Sequence, residues 1–241
     1  MHFIAKPLYG LYAAVLFAAL ALFAMLLMAL LPGLQRRRWL ARAAARAFLR
    51  LAGMPLTVAG LERLPAGPCI LVANHCSYLD GVAFTAALPP RFGFVIKREM
   101  ATVPLAAFLL NRIGSQFMAR DRAAQRTKDA RRVMRSAESG QSMVFFPEGT
   151  FSEEPGLLRF HFGAFAAAQR AGCPVVPAVI QGSRVALSPR GGLPHPTRLR
   201  IEILDPVIPS PHGGTESVAA LCRQARNAIL GILQEPDREA A

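Results

Sequence analysis

The stretch Cys69-Ile70-Leu71-Val72-Ala73-Asn74-His75-Cys76-Ser77-Tyr78-Leu79-Asp80-Gly81 decides how this chain is read. Its opening apolar run, Cys69 to Ala73, has strand length and no charge, as a strand buried on both faces requires. From Gly81 to Leu88 the pattern turns helix-like. His75 and Asp80 stand five positions apart across that change. On a continuous helix this offset is about 500°, which leaves the side chains roughly 140° apart. On a strand they point to opposite faces. They meet only if the chain turns between them, with His75 in a strand-to-helix loop and Asp80 in the first helical turn. A histidine oriented by a carboxylate is a general base for a hydroxyl or a water.

The same grammar recurs. Ser142 to Phe146 is another buried-strand run, broken by Pro147-Glu148-Gly149-Thr150. Further strand-like runs are Leu56 to Ala59, Phe92 to Ile96, Ser115 to Ala119, Val175 to Ile180 and Leu199 to Leu204. Helical runs are Val103 to Asn111, Ala123 to Ser139, Gly163 to Ala171 and Ser217 to Leu233. This alternation predicts an α/β domain: a mostly parallel central sheet flanked by helices, with some antiparallel edge strands. Leu187 to Pro196 reads as a surface loop, and the tail after Gln234 is expected to fray. His75, Lys97, Arg120 and Glu148 each follow a strand, and parallel sheets bind ligands beyond the carboxyl ends of their strands.

The chain has 241 residues and a formal charge of +13, which suits an anionic lipid surface, an acidic substrate or a nucleic acid. Nucleic acid is the weaker reading, since zinc-finger spacing is missing and three tyrosines and one tryptophan offer little stacking. Cys69, Cys76, Cys173 and Cys222 form no C-x-x-C, so a reducing compartment and buried thiols are expected. No third ligand is spaced to make a metal site of His75 and Asp80.

Leu8 to Leu31 is 24 residues without a charge, about 36 Å as a helix. Arg36, Arg37, Arg38, Arg42, Arg46 and Arg50 follow it and only Lys6 precedes it, so the rest of the chain is expected on the cytoplasmic side of the inner membrane. Arg38, Arg42, Arg46 and Arg50 share one helical side, opposite Leu40, Ala44, Ala47, Phe48 and Leu51. This basic amphipathic helix either lies in an anionic headgroup plane or packs its apolar side on the domain. Residues 1–53 are thus read as membrane-anchoring helices and 54–241 as the catalytic domain.

Taken together, H-x4-D at 75–80 and Phe146-Pro147-Glu148-Gly149-Thr150 resemble the glycerolipid acyltransferase family, typified by bacterial 1-acylglycerol-3-phosphate acyltransferases. Three further segments follow its order: Phe94 to Met100 with Lys97, Gly114-Ser115-Gln116-Phe117-Met118-Ala119-Arg120, and Val176-Pro177-Ala178-Val179-Ile180-Gln181-Gly182. The resemblance implies acyl transfer from acyl-coenzyme A or acyl-acyl carrier protein to the free hydroxyl of lysophosphatidate. No cofactor is expected, because the thioester carries the activation. His75 is then the base and Asp80 its orienting partner. Lys97 is either an oxyanion stabiliser or a surface lysine, and Arg120 either a phosphate clamp or part of a solvated cluster with Asp121 and Arg122. Glu148 either accepts a hydrogen bond from the acceptor hydroxyl or holds Arg120, while Gly149 and Thr150 offer close backbone and donors. The resemblance adds a third membrane geometry, a helix hairpin dipped into one leaflet. Phe151 after the second motif, and His161 where the family carries a cation, depart from its pattern and leave the acceptor head group open. Another lyso-lipid acceptor, such as lyso-ornithine lipid, and a non-catalytic anionic-lipid-binding protein are the alternatives.

Overall fold

The computed structural model describes residues 2–119, 123–211 and 214–239. Two helices come first, α1 (His2–Leu30) and α2 (Leu34–Leu51). The chain continues through β1 (Leu56–Ala59), β2 (Ile70–Ala73), α3 (Leu79–Ala87), β3 (Phe92–Lys97) and α4 (Pro104–Arg112). Next are β4 (Gln116–Met118), α5 (Ala123–Glu138), β5 (Ser142–Phe145) and α6 (Gly163–Ala171). It closes with β6 (Val175–Gln181), the single-turn α7 (Ser183–Ala186), β7 (Leu199–Ile203) and α8 (Thr215–Leu233). The strands form one sheet in the order β1-β7-β6-β2-β5-β3-β4. Neighbours are parallel except β6 and β7, so β7 and the edge strand β1 run against the rest.

β2 lies at the centre because both its faces are apolar. Leu71 and Ala73 join the core under α2 and α3, with Phe84, Phe92 and Ile201. Ile70 and Val72 join the opposite core, with Val133, Phe165, Leu221 and Ile229 from α5, α6 and α8. Each such residue contributes about 1.5–3 kcal/mol by leaving water.

The N-terminal helices qualify two expectations. Arg38, Arg42 and Arg46 turn toward backbone carbonyls of the domain. Arg38 Nε and Nη1 donate to the carbonyls of Ile113 (2.9 Å) and Arg91 (2.7 Å), and Arg38 is buried. Gly93 makes room for it, since a Cβ there would lie 2.8 Å from Arg38 Nη2. Arg42 Nη2 donates to Ala87 O (3.2 Å) and Arg46 Nε to Ala86 O (2.8 Å). These are the orphan carbonyls at the negative end of α3, a favourable seat for cations. Phe48 and Leu49 enter the core beside them, so α2 packs on the domain. The expected division at residue 53 falls just after α2, yet α2 shares the core of the sheet.

Helix α1 folds back along α2. Tyr9 Oη donates to Ala52 O (2.7 Å), and at the other end Arg112 Nη2 donates to Ala29 O (2.8 Å). Gly10 approaches the loop after α7 so closely that a Cβ would lie 2.4 Å from Leu193 Cβ. Lys6–Leu30 is long and apolar enough to cross a membrane, and Leu11, Val15, Phe23, Leu26 and Leu30 are exposed. The tail was expected to fray. Residues 235–239 are instead ordered against residues 152–158, through a parallel bridge between Leu157 and Asp237, and Ala240 and Ala241 lie outside the described residues.

Arg38→Ala strands two carbonyls and is expected to cost about 1.5–3 kcal/mol of stability, against about 0.5 kcal/mol or less for the exposed Arg50→Ala. Denaturant unfolding of the detergent-solubilised protein measures both. Equal effects would remove the assigned role of Arg38.

Candidate active site

The turn between β2 and α3 is built by its own polar side chains. Asn74 bridges to β6: its Nδ2 donates to Ile180 O (3.0 Å) and its Oδ1 accepts from Ile180 N–H (2.8 Å). Ser77 Oγ accepts from Leu79 N–H and donates to Leu187 O (2.8 Å). Asp80 is fully buried, and its Oδ2 accepts from the N–H groups of Cys76 (2.7 Å) and Ser77 (2.9 Å). The same oxygen lies 2.8 Å from His75 Nδ1. Asp80 is thus both a carboxylate at a helix start and the partner of the imidazole. That pairing favours the tautomer with its proton on Nδ1, which leaves an Nε2 lone pair able to accept one. Phe146 stacks on the ring at 4.3 Å between centroids, and Phe151 meets it edge-on at 4.5 Å. The imidazole is held by contacts on its face and edge as well as by Asp80.

Glu148 is buried and carries partners that the sequence reading did not assign. Its Oε1 accepts from the backbone N–H of His75 (2.6 Å) and its Oε2 from that of Leu158 (2.8 Å). The carboxylate therefore cross-braces the base-bearing turn to the segment after Phe146-Pro147-Glu148-Gly149-Thr150. Burial pushes its pKa up to about 7, opposed by the Leu158 and His75 N–H groups and by Arg184. Gly149 has φ +74°, a left-handed turn that favours glycine, and Thr150 is exposed. Lys97 is exposed at the end of β3, on the same carboxyl edge of the sheet but on a strand separated from β2 by β5. Arg120, Asp121 and Arg122 lie outside the described residues.

Cys76 is buried and burial pushes its thiol up to about 12, with Asp80 adding to the shift. A protonated thiol is a poor nucleophile at neutral pH, which disfavours a covalent role for Cys76. Arg184 was missed. It lies just past the end of β6, and its Nη2 approaches Cys76 Sγ (3.6 Å) and Glu235 Oε2 (3.2 Å). The signal was present: an arginine two residues past the strand-ending Gly182, at the same sheet edge as His75.

The Acyltransferase family matches residues 55–181, a span that holds His75, Asp80, Lys97 and Glu148. The chain is 31% identical over 176 residues to the chloroplastic 1-acyl-sn-glycerol-3-phosphate acyltransferase of Brassica napus, covering 71% of this chain and 49% of that one. It spans about half the length of the two plant relatives compared, at 49% and 48%. It is 32% identical over 209 residues to the lyso-ornithine lipid O-acyltransferase of Pseudomonas aeruginosa, covering 80% of this chain and 76% of that one. For the human 1-acyl-sn-glycerol-3-phosphate acyltransferase beta the values are 30% over 208 residues, 81% and 72%. The crystal structure of the 1-acyl-sn-glycerophosphate acyltransferase from Thermotoga maritima has the same fold, with a TM-score of 0.72 at 22% identity over 94% of this chain and 97% of that one.

The Glu148 carboxyl gives a signed pH dependence. Between its ordinary value of 4.5 and about 7 the native state binds the proton more tightly than the unfolded chain. This contribution to stability is present below 4.5 and is lost as pH rises through about 7. Ionisation meanwhile strengthens both of its N–H braces. Glu148→Gln is expected to flatten the stability slope in unfolding curves taken at about pH 5 and about pH 8. An unchanged slope would assign it to another group.

Proposed function

The chain belongs to the acyltransferase family, and on that premise we propose that it acylates lysophosphatidate from a fatty acyl thioester, giving phosphatidate. The observation that carries this reading is the 2.8 Å contact between His75 Nδ1 and Asp80 Oδ2, on a turn at the carboxyl edge of a parallel sheet. His75 Nε2 takes the proton of the acceptor's free hydroxyl as its oxygen attacks the thioester carbonyl. The imidazolium so formed faces a buried carboxylate, which favours its charge. The tetrahedral oxyanion then collapses and expels the thiolate of coenzyme A or acyl carrier protein. The proton from His75 goes to that thiolate. Lys97 is the proposed source of positive potential for the oxyanion. Arg120 is the proposed phosphate clamp, an assignment that rests on its sequence block. Gly149 and Thr150 are assigned to the acceptor side, and Glu148 holds the turn on which the base sits.

Membrane attachment belongs to the same reading. The two ends of α1 are both tied to the domain, at Ala52 and at Arg112, while its flank exposes large apolar side chains. A helix so fastened is suited to lying within one leaflet, beside a site that must take up and deliver lipid. The inner membrane, with the domain on the cytoplasmic side, is the proposed location, as the arginine-rich stretch after α1 favours. The anionic surface is left to residues such as Arg36 and Arg50, which are exposed.

Lyso-ornithine lipid is the second acceptor to test, because the Pseudomonas aeruginosa relative is matched over most of its length. Purified full-length protein assayed with each acceptor and with both thioester carriers separates the readings. Phosphatidate is expected as the principal product. Preferential acylation of lyso-ornithine lipid would replace lysophosphatidate as the substrate. His75→Ala is expected to lower kcat by about 10²- to 10⁴-fold with either acceptor. Near-normal turnover by the folded variant would remove the general-base mechanism.

A further inference from the structure

Gln234 ends α8 with φ 56°, outside the range most non-glycine residues adopt, and reverses the chain. Beyond it, the tail is fastened at nearly every residue to the segment 152–158. Glu235 Oε2 accepts from Gly156 N–H (2.6 Å) and from Arg184 Nη2 (3.2 Å). Pro236 O accepts from Leu157 N–H (2.9 Å), and Arg238 N–H donates to Leu157 O (3.0 Å). Asp237 is gripped through both oxygens by the buried Arg226, at 2.6 and 2.7 Å, and Arg226 also donates to Leu157 O (3.1 Å). That pairing lowers the Asp237 carboxyl to about 2. Arg238 reaches Glu154 (2.7 Å), and Arg184 Nη1 donates to Ser152 O. These contacts converge one residue before Leu158, whose N–H holds Glu148, whose other oxygen holds the N–H of His75.

We propose that residues 234–239 form a latch that sets the position of the base-bearing turn, with Glu235 and Asp237 as its positioning residues. Neither touches the reacting atoms. They act through Gly156, Leu157 and Leu158 on Glu148, and through Glu148 on His75. The 152–158 segment has no helix or strand of its own, so contacts from outside it fix its conformation, and the tail supplies several of them. Its hydrogen bonds to charged partners are of the stronger kind. Placing a base to within fractions of an ångström matters more to turnover than to substrate affinity. The latch therefore belongs to kcat. Its kinetic consequence rests on the acyl-transfer reading, whereas the latch itself does not.

The test has two arms on the full-length protein in phosphatidylcholine vesicles. The first follows backbone hydrogen exchange in Glu235→Ala, Asp237→Asn and the near-isosteric Glu235→Gln. Exchange is expected to quicken by about tenfold at Gly156 and Leu157 and, through Glu148, at Leu158 and His75. The β6 amides should keep their protection, which guards against reading general unfolding as a local effect. Should Glu235→Ala also loosen β6, Glu235→Gln decides the matter. Unchanged exchange at 156–158 overturns the latch, and quickening confined to Gly156 and Leu157 overturns its action on the base. The second arm measures transfer from an acyl-coenzyme A to lysophosphatidate. Glu235→Ala is expected to lower kcat by about tenfold with both KM values within about twofold, and Glu235→Gln to recover to within about threefold of wild type. Loosened exchange with unaltered kcat would leave a structural tether and overturn positioning. If the wild-type protein acylates neither acceptor, the functional reading falls, and exchange at His75 still decides the latch.

Discussion

A single carboxylate oxygen organises this molecule. Asp80 Oδ2 accepts from the His75 ring and from the N–H groups of Cys76 and Ser77. The same atom therefore shapes the turn out of β2, starts α3 and orients the imidazole. Burial raises the stakes, because all three donors converge on Oδ2 while the buried Oδ1 has none. Losing any one donor disturbs the fold and the chemistry together. Asn74 and Ser77 extend the constraint to β6 and to the loop after α7, so the turn is fixed from several directions.

The sheet was legible because its central strands, β2, β5 and β6, are buried on both faces. Continuous runs such as Cys69 to Ala73 and Ser142 to Phe146 have no polar face to blur them. His75 and Asp80 were legible for a different reason: their spacing excludes contact on any regular element, so a turn had to join them. The tail was misread because its order comes from Arg184 and Arg226, which are distant in sequence from Ser152 and Leu157. Local composition carries no trace of such pairings. Glu148 was recognised as a site residue, but its partners were not, since backbone N–H groups leave no mark in a sequence.

The basic charge was the least transparent signal. Part of it is engaged by carbonyl groups that helices and loops leave unpaired, with Arg38 buried and the others partly exposed. Arg38, Arg42 and Arg46 serve the carbonyls around α3, Arg112 those at the end of α1, and Arg91 the carbonyls of Ala66 and Gly67. Guanidinium suits this task through its rigid fork of donors. These bonds to neutral carbonyls leave the formal charge of +13 intact but direct part of it toward the domain's own backbone. The i, i+4 arginine stripe on α2 looked like a membrane-facing feature for the same reason. Periodicity reports that a face exists; the neighbouring element decides what that face meets.

The state of the thiols bears on the proposed thioester donor. All four cysteines are unpaired and buried, and burial raises each of their pKa values, Cys69 and Cys222 to about 11. Thiolate is the form that exchanges with a thioester. Were the donor the proposed acyl thioester, burial of the thiols would disfavour acyl transfer to the protein itself. Cys76, beside His75 in sequence, is the position at which that would matter most.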